Sequence, residues 1–218
     1  TDDEEGGVVN SSDIRPKKSQ VESVIKNYFL GRIKQKPPRY SAVKINGKRA
    51  YKLARQNRNF DIKFKNINII SFDLIKYDNK DQADFKTRCS SGTYVRSLAR
   101  DLSKKLGTFG HALNIERLED NFFKINNSLE LDTVLNYNLT SLNKNILPPE
   151  FVLKDYMAIE IEKKYLENLR NGKVVYLENL KSFLSGKPQS ILIKFENQLV
   201  SIANLEKGYI IPRRNFNN

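Results

Sequence analysis

The stretch CSSGTYVRSLARDL, residues 89–102, decides the fold of this chain because it joins a strand to a helix through a glycine loop. Within it, Ser90-Ser91-Gly92 ends a preceding run of strand-forming residues, 83–89. The apolar residues that follow are spaced at i, i+3, i+4, i+7 and i+11: Val95, Leu98, Ala99, Leu102 and Leu106. This spacing predicts an amphipathic helix that ends at Gly107.

Arg96 lies in the first turn of this predicted helix, where the helix dipole is positive. A cation at that end is disfavoured by about 0.3–1 kcal/mol, so a partner should offset the cost. A carboxylate or an RNA phosphate would do so. The alternative is that the side chain of Arg96 turns back into solvent.

A second informative segment, residues 35–55, reads QKPPRYSAVKINGKRAYKLAR. Its two prolines exclude a helix and predict an extended stretch over 39–45. Asn46-Gly47 predicts a tight turn, and residues 50–55 form a short helical pattern. Before this segment, residues 20–30 have helical spacing behind a capping-box pattern that opens at Ser19.

The positive charge of the chain is concentrated in residues 15–58. The chain carries 38 Lys or Arg and 25 Asp or Glu, for a formal net charge of +13. Residues 15–58 hold fourteen of these basic residues and one acid, Glu22, so the remaining 24 basic and 24 acidic residues cancel. A concentrated positive field attracts polyanions, and the Pro, Tyr and Gly residues within it shape a surface that contacts bases. We interpret the segment as a nucleic-acid-binding surface; the alternative is a solvated, lysine-rich face.

The rest of the chain mixes strands and helices. A helix is predicted near residues 161–171, a basic tail at Pro212-Arg213-Arg214, and a domain boundary at Pro148-Pro149. The order of elements predicts an α+β fold with a largely antiparallel sheet. Strands are predicted over residues 59–77, 83–89, 112–118, 190–195 and 198–204.

Composition excludes several classes of protein. One cysteine, Cys89, cannot form a disulfide within the chain, and with one histidine, His111, it leaves a zinc site under-supplied. We therefore expect a reducing, cytoplasmic location and no metal. No apolar run approaches the ~20 residues that span a bilayer, so no membrane association is expected. P-loop, dinucleotide and nucleophile-elbow patterns are absent from the sequence, and the acidic pairs Asp2/Asp3 and Glu160/Glu162 are interpreted as solvated.

The two central segments resemble the TruB family of tRNA pseudouridine synthases. Residues 35–55 match that family's pattern of two prolines, Tyr-Ser-Ala-x-Lys, Gly and Tyr-x-x-Ala-Arg. Residues 92–102 match its pattern Gly-Thr-Tyr-(Ile/Val)-Arg-(Ser/Thr)-Leu-Ala-x-Asp-Leu. The order and spacing of the two motifs also match. Weaker likenesses extend the resemblance over nearly the whole chain, at residues 1–7, 110–118, 200–203 and 211–216.

The resemblance implies a domain organisation and a reaction. Residues 1–148 would be the C-terminal portion of a pseudouridine synthase catalytic domain, with its RNA-binding segment 15–58, and residues 149–218 a small PUA-like β-rich domain. The family flips a T-loop uridine out of tRNA, detaches its uracil, rotates it and rejoins it through carbon. The implied partner is the tRNA T-arm, with no cofactor or metal, and we expect a monomer.

The resemblance also assigns roles to individual residues. Tyr94 matches a tyrosine of the active site, Arg96 the arginine that pairs with the catalytic aspartate, and Ile115 a leucine of the pocket. That aspartate belongs to a Gly-x-Leu-Asp loop, which these 218 residues do not contain, so we expect it upstream of Thr1 and the chain alone to be inactive. Support of the pocket or of the RNA is assigned to three further positions: Lys44, Tyr51 and Arg55.

The sequence departs from the family pattern at two positions. Glu116 stands where the family usually has an arginine, and Asn121 stands where a glycine is common. Two other functions remain open at this stage. A non-catalytic RNA-binding module derived from this family would share both motifs, whereas a ribosome-associated structural protein would explain the charge but not the motif at residues 92–96.

Overall fold

The computed structural model describes residues 1–77, 81–180 and 188–216. The chain divides into two compact units, residues 1–116 and 117–218. The boundary predicted at residue 148 concerns family domains and stays a prediction.

The first unit is a three-stranded antiparallel sheet covered by two helices. The strand order is β1-β4-β5, and Ile33 of β1 pairs with Ile67 of β4. The elements in chain order are α1 (Lys18–Tyr28), β1 (Gly31–Gln35), β2 (Lys44–Ile45), β3 (Lys48–Arg49), α2 (Ala50–Arg55), β4 (Lys65–Lys76), β5 (Asp84–Cys89) and α3 (Val95–Lys105).

The core of this unit lies between the sheet and helices α1 and α3. Phe29, at the end of α1, meets Phe72 of β4 edge to face, with ring centroids 6.0 Å apart. Burial of each large side chain contributes about 1.5–3 kcal/mol, so this layer fixes α3 against the sheet. The buried members of the cluster are Val21, Ile25, Phe29, Ile67, Ile69, Phe72, Leu98 and Leu102.

The local predictions for residues 44–55 and 95–107 are confirmed. β2 and β3 form a hairpin whose turn residues Asn46 and Gly47 have φ of 47° and 81°. Two successive positive φ values are what Asn-Gly tolerates, so the dipeptide sets this turn. Helix α2 spans the predicted residues 50–55, and α3 ends before Gly107, whose φ is +75°.

The start of α1 and the strands that follow it differ from the predictions. The helix begins at Lys18, because the backbone N–H of Lys17 donates to the side-chain oxygen of Gln20 at 2.7 Å, and Ser19 lies inside it. The extended stretch predicted over 39–45 forms a regular strand only at Lys44–Ile45, while an unpredicted strand, β1, precedes the prolines. Pro37 and Pro38 have no N–H to donate, so pairing with β4 stops before them.

The predicted strand over 112–118 is also wrong. Among the described residues, its only β-type pairing is an isolated parallel bridge between Ala112 and Asp3. The N–H of Ala112 donates to the carbonyl of Asp2 at 3.1 Å. A strand forms when a neighbouring strand pairs with it along its length. Alternation of side chains alone does not show that such a neighbour exists.

The second unit is built on a five-stranded sheet. The strand order is β8-β10-β11-β12-β9; β8 and β10 are parallel and the other pairs antiparallel. Three 3-10 turns lie at Ile125–Asn127, Pro149–Val152 and Glu178–Leu180. The elements are β6 (Glu119–Asp120), β7 (Phe123–Lys124), α4 (Leu131–Leu135), α5 (Leu139–Asn145), β8 (Met157–Glu160), α6 (Lys163–Arg170), β9 (Val175–Tyr176), β10 (Gln189–Phe195), β11 (Gln198–Glu206) and β12 (Tyr209–Asn215).

The predicted helix near 161–171 and the strands near 190–195 and 198–204 are confirmed as α6, β10 and β11. The predicted basic tail at Pro212–Arg214 is instead part of strand β12. β9 pairs with β12 only at Tyr209 and Ile210. The proline therefore lies beyond the end of its outer neighbour, where its missing N–H breaks no ladder bond.

The α+β fold with a largely antiparallel sheet is confirmed. Within the described ranges, no helix has the length and apolar character needed to cross a membrane.

Candidate active site

The site is built on the turn that leads into α3. Gly92 has a φ of +79°, a left-handed conformation that a glycine adopts without steric cost. The hydroxyl of Thr93 donates to the carbonyl of Ser90 at 2.8 Å and closes the turn. The chain then enters α3 with Tyr94 as its N-cap, in an extended conformation.

Gln35 fixes the backbone of Tyr94 from the neighbouring strand. The Tyr94 N–H donates to Oε1 of Gln35 at 2.9 Å, and Nε2 of Gln35 donates to the Tyr94 carbonyl at 3.0 Å. Gln35 is 2% exposed. A buried amide with a partner for each end is costly to remove, so the position of Tyr94 depends on Gln35. The sequence pattern did not single out Gln35, because a glutamine beside Pro37 has no distinctive spacing.

Arg96 makes an ion pair with Asp3. Its Nη1 donates to the Asp3 carboxylate and to the carbonyl of Thr1 at 3.2 Å, and its Nη2 donates to the carbonyl of Tyr40 at 3.1 Å. The side chains of Arg96 and Asp3 are 27% and 18% exposed. Of the partners predicted for Arg96, a carboxylate or an RNA phosphate, the structure shows a carboxylate, that of Asp3, so the alternative of a side chain in solvent is wrong. The pairing with the catalytic aspartate that the resemblance implies stays a prediction.

The pKa of the Asp3 carboxyl is held below its ordinary value. A hydrogen bond from the Thr1 side chain is the largest cause, and the hydrogen bond and charge of Arg96 add to it, while burial opposes them. Asp3 is therefore a fixed anion beside Arg96 at neutral pH.

Arg100 lies one helical turn after Arg96 and pairs with the preceding residue of the same acidic segment. Its Nη1 donates to Asp2 at 2.6 Å, its Nε to Asp101 at 2.8 Å, and its Nη2 to the carbonyl of Lys36 at 2.7 Å. Burial disfavours the charged form of Arg100, but Asp101 and Asp2 outweigh it, so the pKa of Arg100 lies above its ordinary value.

The expectation that Asp2 and Asp3 are solvated is wrong. Both are partly buried, and each pairs with one of the two arginines four residues apart on α3. Side chains at i and i+4 share one face of a helix, which is why adjacent aspartates meet both. Glu160 and Glu162, the other acidic pair interpreted as solvated, are exposed.

The other residues predicted for the site lie on the hairpin segment and after α3. Tyr51 and Arg55 contact each other on α2, with the guanidinium carbon 5.6 Å from the ring centroid. Lys44 is exposed on β2, and among the described residues no hydrogen bond or ion pair engages its side chain. Ile115 is 49% exposed. Their roles stay predictions.

The described residues include no group of three or more His, Cys, Asp or Glu that could hold a metal ion. The cluster around α3 instead offers fixed guanidinium groups and one oriented tyrosine. Such a set binds anions and positions a carboxylate or phosphate.

Comparison with known sequences identifies the family. Residues 1–95 match the model described as TruB family pseudouridylate synthase, N terminal domain. The tRNA pseudouridine synthase B of Ehrlichia ruminantium (strain Gardel) is 32% identical over 226 residues, covering 100% of this chain and 74% of the relative. The chain belongs to the TruB family. The enzyme of the same name from Caulobacter sp. (strain K31) is also 32% identical, over 98% of this chain and 71% of the relative.

Solved structures show that this TruB-family chain shares its fold with more distant proteins. A structure of a Cbf5-Nop10-Gar1 complex aligns with a TM-score of 0.65 and 19% identity over 95% of this chain and 63% of the other. An H/ACA RNP bound to a substrate RNA containing 2'-deoxyuridine aligns with a TM-score of 0.65 and 15% identity, over 95% and 64%. The chain spans just under two thirds of the length of these solved chains. At these identities the likeness concerns the fold alone.

Proposed function

We propose that this chain forms the RNA-binding side and the arginine side of a tRNA pseudouridine synthase that converts a T-loop uridine to pseudouridine. The observation that carries the proposal is the turn at Gly92–Arg96, with Tyr94 fixed by Gln35 and Arg96 paired with Asp3. Its relatives at 32% identity carry the name tRNA pseudouridine synthase B.

The reaction breaks the bond between N1 of uracil and C1' of the ribose and forms a bond from C5 to C1'. The hydrogen on C5 leaves as a proton and N1 gains one, so the product is an isomer of the substrate. The nucleophile of the family is an aspartate, and we propose that this carboxylate is supplied from outside the 218 residues. The residues of this chain orient that carboxylate and hold the flipped base.

Arg96 retains the donors that this role needs. A guanidinium has five N–H donors. Acceptors among the described residues take two hydrogen bonds from Nη1 and one from Nη2. The Nε–H and the second N–H of Nη2 therefore remain as donors. These two donors match a carboxylate, and the Asp3 anion keeps the guanidinium in place while they act. Tyr94 supplies an aromatic ring for the base, and Ile115 an apolar wall.

The basic segment 15–58 is proposed to bind the T-arm. Lys44 and Arg55 are exposed, and they flank the compact hairpin and helix α2. Their charges are free to meet phosphates, which fix the register of the RNA without reading its sequence. The PUA-like unit, a monomeric state and a cytoplasmic location belong to the same proposal, and the reducing compartment is consistent with the single Cys89.

The test is tritium release from tRNA labelled at C5 of uridine, because only bond formation at C5 liberates that hydrogen. The full-length protein should release tritium from the T-loop position, and a tRNA with cytidine there is the matched control. Arg96→Lys keeps the charge but loses the planar donor pair. It should lower kcat by at least about 100-fold while tRNA affinity changes by less than about threefold.

A non-catalytic RNA-binding module gives a different result. Such a protein would bind tRNA and release no tritium, and Arg96→Lys would leave its affinity unchanged. That outcome would refute the proposed activity.

A further inference from the structure

The first unit contains a groove of about 860 Å³ that lies beside the proposed active site. Its walls are the end of α1, strand β1 and the residues after it, the segment before β4, and the C-terminal end of α3. We call it the α1–α3 groove. Its wall includes Asp2 and Arg100, one helical turn from the Arg96–Asp3 pair, so it adjoins the site.

The groove is strongly basic. The charge of Arg100 is already paired with two carboxylates, those of Asp2 and Asp101. Five further cationic side chains line it, Lys34, Lys36, Arg39, Lys104 and Lys105, and of these Lys36 is paired with Asp61 at 2.6 Å. Lys34 and Lys104 are exposed, and within the described part of the chain neither has an ion-pair partner. An uncompensated field of this kind in a concave surface attracts a polyanion.

The groove also presents aromatic rings, and three of them carry a cation over the ring face. Lys105 lies 4.4 Å from the centroid of Tyr28, and Arg39 lies 4.9 Å from that of Phe60. Lys36 lies 6.0 Å from the centroid of Phe64, which is 64% exposed. An approaching phosphate would draw these cations away and open the ring faces to bases.

We propose that the α1–α3 groove binds an unpaired strand of the RNA substrate, with Lys34 and Lys104 on phosphates and Tyr28 under a base. A duplex offers phosphates but keeps its base faces stacked, so it uses the cations and not the rings. An unpaired strand uses both. The proposal rests on the proposed function, since a flipped uridine leaves its neighbours unpaired beside the site.

The experiment measures binding of two labelled probes to the full-length protein by fluorescence anisotropy across a salt series. One probe is a single-stranded oligouridine of about six nucleotides, within the usual site size of such grooves, and the other is an RNA duplex. The ring variants are Tyr28→Ala and Tyr28→Phe. The charge variant is the double change Lys34→Gln with Lys104→Gln, and its matched control is Lys86→Gln with Lys144→Gln, two exposed lysines outside the groove.

Tyr28→Ala should weaken oligouridine binding by about 5- to 100-fold without changing its salt dependence, because stacking is not ionic. Tyr28→Phe keeps the ring and should bind as wild type. The groove double variant should reduce the slope of log K against log salt by about 1.4, and the control double variant should not. Tyr28 is 55% exposed, so neither change at that position should alter the unfolding temperature.

Four results would overturn the groove as an RNA site. The first two are oligouridine binding by Tyr28→Ala equal to wild type and an equal loss of binding in Tyr28→Phe. The other two are an equal slope change in the two lysine double variants and a loss of affinity in the groove double variant that is confined to the duplex probe, which would show a general cationic surface. Tritium release by the wild-type protein is scored separately, so the proposed activity and the groove can fail independently.

Discussion

Replacing Gln35 by leucine should separate the positioning of Tyr94 from the general stability of the fold. The change keeps a side chain of similar size at a buried position and removes both hydrogen bonds to Tyr94. The carbonyl of Tyr94 still accepts from the N–H of Leu98 at 3.1 Å, but its own N–H has no other partner among the described residues. The perturbation is therefore one orphaned donor and one lost acceptor contact.

The magnitude follows from these two groups. An unsatisfied donor costs about 1–3 kcal/mol and a lost net hydrogen bond about 0.5–1.5 kcal/mol. Tyr94 is only partly buried, which lowers the first figure, so we expect a loss of about 2–3 kcal/mol in the free energy of unfolding. When kcat is expressed per folded molecule, using the folded fraction from the unfolding curve, any fall in kcat reports the position of Tyr94 and Arg96. A displacement of about 1 Å is enough for a fall of roughly 100-fold.

The assays are urea unfolding and tritium release from C5-labelled tRNA. The matched control is Gln20→Ala, which removes an exposed cap of α1 and should cost about 1 kcal/mol with no change in kcat. Gln35→Leu should lower kcat by about 10- to 100-fold at an unchanged KM. Wild-type kcat together with the expected loss of stability would refute the claim that Gln35 positions Tyr94.

Three further predictions follow from the same contacts. Because the pKa of Asp3 is depressed, its stabilising contribution is present above the unfolded-state pKa, about 3.8, and is lost as pH falls through the folded-state pKa. The free energy of unfolding of Asp3→Asn should therefore fall less between neutral and acid pH than that of the wild type. An equal fall in the two proteins would contradict the pair with Arg96. Leu98 is 2% exposed, so Leu98→Ala should lower the free energy of unfolding by about 2–5 kcal/mol in denaturant titrations, and a loss below about 1 kcal/mol would show that the core is loosely packed there. Each of Lys44→Gln and Arg55→Gln should reduce the slope of log K for tRNA against log salt by about 0.7–0.9, and an unchanged slope would exclude a phosphate contact.

The residues that sequence patterns predicted well are those whose structure is set by near neighbours. The Asn46-Gly47 turn and α2 were predicted because positive φ and helical spacing are local properties. The strand predicted at 112–118 failed because pairing depends on a second strand that lies far away in the chain. Pro212–Arg214 belong to β12 because the preceding strand, β11, pairs with them. Hydrophobic alternation within a segment does not specify which strands lie next to that segment in the sheet.

The candidate site shows the same division. Sequence patterns alone identified Arg96 and the basic segment, because a helix start and a charge run are readable in order, and the resemblance to the TruB family added Tyr94. The partners of these residues were decided by the tertiary structure: Asp3 lies 93 residues from Arg96, Asp2 lies 98 from Arg100, and Gln35 lies 59 from Tyr94. The sequence by itself determined which groups carry charge and where α2 and α3 lie. Only the folded chain brings a carboxylate to each arginine, because an ion pair between distant residues depends on packing that no local spacing encodes.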